Sequence, residues 1–311
     1  MSRIITVGAA QLGPIARNET RPQVVQRLLE LMRQAKSMGC ELIVYPELAL
    51  TTFFPRWHFE AQAEIDLWFE REMPSKETAP LFDEAQKLGI AFKIGYAELT
   101  QEEGKTRHFN TAILVDKAGK VALKYRKVHL PGHAEHEPWR AFQHLEKRYF
   151  EVGNLGFPVA RTLGGIFGMC ICNDRRWPET YRVMGLQGVE MIVLGYNTPE
   201  HHPVAPEHDH LGYFHNTICM QSGAYQNGTW VVGVAKAGLE ENCKLIGGSQ
   251  IIAPSGETVA SAVTTGDELI VARCDLDLTK SYKETIFNFA KHRRPEAYGR
   301  ITSQTGVELP K

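Results

Sequence analysis

A thiol, a carboxylate and an ammonium each stand just past the end of an apolar run in this chain. Cys172 follows GIFGMCI, Glu47 follows ELIVY and Pro46, and Lys127 follows VALKYR. A thiolate is a nucleophile, a carboxylate accepts a proton and later returns it, and an ammonium stabilises a developing oxyanion. Cys172 leads into a polar turn and a helix opened by Pro178, so helix N–H groups are expected to lower its pKa. A carboxylate held among apolar neighbours, as Glu47 is expected to be, keeps its proton to higher pH. Each residue also has an ordinary reading: a buried core thiol, a helix-capping carboxylate, a solvated basic edge.

The elements that must position them read as an alternation of strands and helices. IITVGAA (4–10) is a buried strand, and Val25, Leu28, Leu29, Met32 and Ala35 repeat at helical spacing until Gly39 closes that helix. ELIVYPE is a short strand stopped by Pro46, LFDEAQKLG a helix, IAFKIGYAEL a strand, and NTAILVDKAGKVALKYRK two strands around a Lys-Ala-Gly-Lys turn. After a loop over 129–158 the rhythm returns with GIFGMCI, the helix PETYRVMGLQG and the strand EMIVLGY. An amphipathic helix is expected from about Pro206 to Gln226, followed by TWVVGVAKA, GGSQIIAP, ETVASAV and ELIVARCDL. This is one α/β unit used twice, and the hairpins among its links favour mixed over all-parallel sheets. The stretch from Lys280 onward lacks a clear period and is expected to form an arm against another subunit.

Composition narrows the function classes. The 311 residues are 43% hydrophobic and 23% charged, and 35 Lys+Arg against 36 Asp+Glu give a net charge of -1. That balance offers no footprint for nucleic acid or for a membrane surface. No stretch is apolar enough to span a bilayer, and the N-terminal run is too short and wrongly flanked for a signal peptide. The six cysteines lack the spacing of a disulfide framework and read as reduced thiols in the cytoplasm. Cys170, two residues before Cys172, shares its face only if the strand continues that far. His201, His202, His208 and His210 crowd EHHPVAPEHDH without regular ligand spacing, which favours a loop at a site mouth over a metal site.

Taken together and in this order, YPEL around Glu47, YRKVHLP around Lys127 and CICNDRRWPE around Cys172 resemble the nitrilase superfamily. The resemblance implies a four-layer αββα sandwich with two mixed β-sheets and outer helices, over residues 1–280, with 281–311 as the C-terminal arm. It implies hydrolysis of a non-peptide C–N bond of a small molecule without metal or other cofactor, by a homo-oligomer, dimer or tetramer. Within the superfamily, ALTTFFPRWHF, RKVHLPGH, FQHLEKRYFE, CNDRRWPE and GYNTP resemble the N-carbamoyl-D-amino acid amidohydrolases. Carried over, Cys172 is the nucleophile, Glu47 the general base and acid, and Lys127 the oxyanion stabiliser. Glu146 is a second carboxylate beside them, and the backbone N–H of Asn173 a second oxyanion donor. Arg175 and Arg176 match a clamp on the substrate carboxylate, a planar task that suits a guanidinium fork. His144, Asn173, Asn197 and Thr198 match polar residues of the pocket, and His129 and His215 match histidines that orient loops. A β-ureidopropionase or an aliphatic amidase using the same three residues is the alternative, and a non-catalytic member of the superfamily a more distant one.

Overall fold

The computed structural model describes residues 2–310. Its strands are β1 (Ile4–Gln11), β2 (Leu42–Val44), β3 (Ala91–Glu102), β4 (Lys105–Val115), β5 (Val121–Arg126), β6 (Val159–Thr162) and β7 (Gly165–Ile171) in the first part of the chain. They continue with β8 (Met191–Tyr196), β9 (Trp230–Ala235), β10 (Ala237–Glu240), β11 (Cys243–Ile246), β12 (Gln250–Ile252), β13 (Thr258–Ser261) and β14 (Glu268–Asp275). One six-stranded sheet runs β14-β1-β2-β3-β4-β5 and the other β13-β12-β9-β8-β7-β6, while β10 and β11 form a separate ribbon. Each large sheet has a parallel centre, β1-β2-β3 in one and β7-β8-β9 in the other, flanked by antiparallel strands. The unit expected twice in the sequence is thus present twice in the fold.

Alternation along the strands sorts the layers, because successive side chains of a strand point to opposite faces. Ile5, Val7 and Ala9 of β1 and Val44 of β2 join Phe167, Met169 and Ile171 of β7 and Val193 of β8 in the core between the sheets. Phe92, Ile94 and Tyr96 of β3 point the other way, into a core with Val25, Leu28 and Met32 of helix Arg21–Ser37 and Leu81 and Phe82 of helix Ala79–Leu88. Helices Pro178–Leu186 and Gly212–Asn227 cover the second sheet through Tyr181, Met184, Met220 and Ala224. Helix Arg21–Ser37 starts where the Thr20 N–H donates to the Gln23 side chain at 2.8 Å, with Pro22 in the first turn where its missing N–H costs nothing.

Several elements differ from the sequence reading. The helix expected from Pro206 begins as a 3-10 turn over Pro206–Leu211, and the α-helix proper runs Gly212–Asn227. The short strands β6, β10 and β11 escaped the pattern, being four residues each. The C-terminal stretch, without a period of its own, folds as short helices Leu278–Lys283, Phe289–His292 and Gly299–Ser303. Part of it lies on its own chain: Phe287 meets Tyr225 edge-on at 5.0 Å, and the Arg182 guanidinium sits 4.3 Å from the Phe289 ring centre. Among the described residues no helix is long and apolar enough to cross a membrane.

Candidate active site

Lys127 and Cys172 follow directly on the ends of β5 and β7, Glu47 comes after Tyr45 and Pro46 beyond the end of β2, and the facing sheets bring those ends together. Lys127 is fully buried, and its Nζ donates to Glu47 Oε1 at 2.7 Å and to Glu146 Oε2 at 2.6 Å. Burial opposes the ammonium, but the negative fields of Cys172, Glu146 and Glu47 outweigh it and raise its pKa, so it stays charged. Burial also works against ionised Glu146, yet Lys127 and the His144 ring, 3.0 Å from Glu146 Oε1, hold that carboxyl below its usual range. His144 itself is pushed toward its neutral form by burial, with Glu146 opposing.

The surroundings of Glu47 are polar, which corrects the apolar setting expected for it. Besides Lys127, it accepts from Asn110 Nδ2 at 2.8 Å and from the Asn197 backbone N–H at 3.0 Å, while Asn197 Nδ2 donates to the Glu47 carbonyl at 2.9 Å. Asn110 sits within β4, and a polar residue inside an apolar strand was the one signal that could have marked it. The Glu47 turn threads between the two sheets where both lack side chains. A Cβ at Gly95 of β3 would stand 2.9 Å from Glu47 Cα, and one at Gly195 of β8 only 2.3 Å from Glu47 N.

Cys172 has φ 49°, a left-handed conformation that β-carbon-bearing residues seldom adopt, and it begins the 3-10 turn Cys172–Arg176. The strand therefore stops at Ile171, and Cys170 remains a core residue apart from the turn. Asp174, also unremarked in the sequence, fixes the turn: its Oδ2 accepts from Ile171 N at 3.0 Å and Tyr125 Oη at 2.7 Å, and its Oδ1 from His129 N at 2.8 Å. The His129 ring also meets Asp174 Oδ1 at 2.8 Å and stacks on Trp177. Burial, then the Glu47 charge, push the Cys172 thiol pKa up against the pull of Lys127 and Arg175. The lowered thiol pKa expected from a nearby helix start is thus corrected: desolvation and a neighbouring carboxylate push it upward.

Arg175 requires a third correction. It is buried, donates from Nη1 to the Cys172 carbonyl at 2.7 Å, from Nη2 to Thr198 Oγ1 at 2.9 Å and from Nε to Asn216 Oδ1 at 2.9 Å, and lies 4.3 Å from the Tyr196 ring centre. A guanidinium so engaged braces the strained Cys172 turn and is absent from the cleft lining. Arg175→Met is expected to lower the melting temperature, because unpairing these buried acceptors costs about 1–3 kcal/mol. It should also reduce kcat alike on carboxylated and simple amides; a KM effect confined to carboxylated substrates would restore the clamp.

The cleft, about 530 Å³, is lined by Cys172, Arg176, His144, Asn197 and Thr198, with His215 further along its wall. Asn173 is outside that lining, and its side chain donates to the His129 carbonyl at 3.2 Å. Its backbone N–H lies in the first turn of the 3-10 helix, where such groups lack intrahelical acceptors. His201, His202 and His208 also line the cleft, placing the histidine-rich loop at the site.

A four-layer sandwich that brings a thiol, a carboxylate and an ammonium together at its strand ends is a scaffold suited to hydrolysis, and comparison with known proteins gives its family. The chain belongs to the carbon-nitrogen hydrolase family of the nitrilase superfamily, whose pattern matches residues 6–284. It is similar to an N-carbamoylputrescine amidase of Arabidopsis thaliana, 30% identical over 290 residues covering 89% of each chain. It is also similar to a nitrilase of Pyrococcus abyssi, 30% identical over 296 residues, 92% of this chain and 99% of the other. In fold it resembles the crystal structure of a carbon-nitrogen hydrolase from Helicobacter pylori G27, with TM-score 0.82 and 23% identity, covering 97% of this chain and 99% of that one. The chain is accordingly a hydrolase of C–N amide-type bonds.

Proposed function

We propose that the chain hydrolyses N-carbamoyl amino acids, in the D series that its sequence resemblance implies, to amino acid, carbon dioxide and ammonia. Cys172 attacks the ureido carbon, giving its thiol proton to Glu47. The oxygen that becomes negative is held by the Lys127 ammonium and the Asn173 N–H. Glu47 hands its proton to the terminal nitrogen, the C–N bond breaks, ammonia leaves and a thioester remains on Cys172. Water then loses a proton to Glu47 as it attacks the thioester carbon, and the proton returns to the departing sulfur. The freed N-carboxy amino acid loses carbon dioxide. Glu146 and His144 act by holding Lys127 in place.

The charge of the cleft carries the choice of substrate. Its lining contains the guanidinium groups of Arg140 and Arg176 against one carboxylate, Glu200, which pairs with Lys244 at 2.7 Å. Arg140 is tied to Glu137 at 2.6 Å, whereas Arg176 makes no ion pair among the described residues. Such walls suit a substrate with a carboxylate tail and oppose the ammonium tail of N-carbamoylputrescine. Losing one charge-assisted contact costs about 1.5–3 kcal/mol. Arg176→Gln should therefore raise KM for N-carbamoyl-D-phenylalanine about tenfold or more. KM for a simple aliphatic amide should not move. Turnover of N-carbamoylputrescine or N-carbamoyl-β-alanine in preference to either isomer of N-carbamoylphenylalanine would overturn the substrate; equal turnover of the L isomer would overturn the stereochemistry alone.

A further inference from the structure

One buried amine has no part in that chemistry. Lys93 stands on β3 between Ala91 and Gly95, at a position whose parity faces the inter-sheet core, and it is fully buried. Its Nζ donates to the Tyr45 carbonyl at 3.0 Å, the one hydrogen bond it makes among the described residues, leaving two of its three donors without a protein partner. A Cβ at Gly195 of the opposite sheet would fall 2.7 Å from this Nζ and 2.3 Å from Glu47 N, so the amine, the bare strand and the backbone of the base converge on one point. A lysine here is costly where methionine would fill the same space without desolvating a charge.

We propose that Lys93 is a positioning residue for Glu47, one that anchors the Tyr45–Glu47 turn from inside the sandwich and governs how readily the carboxylate takes the thiol proton. The proposal rests on the reading of Glu47 as the base. The ionisable groups facing Lys93 are Glu47 from that turn and Cys170 from β7, while β8 brings Gly195 against it. Burial brings the amine down to a pKa of about 7, against the opposing pull of Glu47 and Cys170. Below that pH the amine is a cation beside the carboxylate that must accept the thiol proton; above it the amine is neutral and the proton transfer meets no opposing charge from it. The folded amine binds fewer protons than an unfolded lysine between its lowered pKa and the ordinary lysine range. Stability contributed by this group therefore rises with pH through that window.

Lys93→Met and Lys93→Gln test this, the second retaining a donor for the Tyr45 carbonyl. In the parent protein kcat/KM for the carbamoyl substrate should fall on the acid side of about pH 7, by roughly tenfold per unit at most, and both variants should lack that limb with KM unchanged. The melting temperature of the parent should climb with pH above about 7 relative to both variants. An unaltered pH profile in both variants overturns the proposal. Glu47→Gln is the control for the underlying reading: if it still turns over substrate, the assignment of the base fails first, whatever the Lys93 variants do.

Discussion

Lys127→Met is expected to cost both activity and folding stability. One ammonium holds two carboxylates, Glu47 at 2.7 Å and Glu146 at 2.6 Å, and all three side chains are fully buried. Removing it leaves two like charges facing each other without water, and breaking a buried pair in this way costs about 3–5 kcal/mol. In a chain of this size that lowers the melting temperature by roughly 5–8 °C at neutral pH. The carboxyl of Glu146, depressed in the parent, contributes stability that is present above the unfolded glutamate pKa and lost as pH falls through the folded one. The variant lacks that contribution, so its deficit should be largest at neutral pH and shrink as the medium is acidified and the carboxyls take up protons. Loss of the oxyanion partner should reduce kcat by at least about 10²–10³-fold. Thermal unfolding at several pH values would check the first part, and adding Glu146→Gln should recover part of the stability without recovering turnover. A variant that melts like the parent would show that the two carboxylates do not depend on Lys127.

Cys172→Ala should abolish turnover, by at least about 10⁴-fold, while the protein stays folded and binds substrate. The turn that carries residue 172 is held by groups other than its sulfur: Asp174 accepts the Ile171 N–H, and Arg175 donates to the carbonyl of residue 172. The variant should accordingly show a rise in melting temperature on adding N-carbamoyl-D-phenylalanine, with no ammonia released over hours. Cys172→Gly is a useful companion, since glycine accepts φ 49° without penalty and should melt no lower than the alanine variant. Residual hydrolysis at the parent rate in either would remove Cys172 from the role of nucleophile.

The layout of the fold was largely readable because its strands are nearly continuous apolar runs that end at punctuation: Pro46 before Glu47, and the polar turn after Ile171. Residues placed directly after strand ends were therefore easy to locate. Direction was not readable. Arg175 and Arg176 are neighbours in the chain, yet the 3-10 turn sends one inward to Thr198 and Asn216 and leaves the other on the cleft. The thiol pKa was misjudged because helix fields act locally and are visible in sequence, whereas burial and the charge of Glu47 come from contacts across the sandwich. Asn110 and Asp174 were missed for the same reason: their partners, Glu47 and Tyr125, lie 63 and 49 residues away. The short strands β6, β10 and β11 have too few residues to show a period and take their form from neighbours.

The paired glycines about the Glu47 turn make the two sheets a jig for a single residue. With Gly95 on one side and Gly195 on the other, the strands meet the turn backbone to backbone, with no Cβ at either glycine to absorb a change in the gap between the layers. Any core substitution that thickens or thins the sandwich, however far from the cleft, is transmitted to the carboxylate as a displacement. The cleft walls at Arg140, Phe142, His201 and His202 belong to loops that can be rebuilt without touching that gap. Directed evolution of this scaffold would therefore find freedom for new substrates in those loops and tight restraint in a hydrophobic core that never meets a substrate.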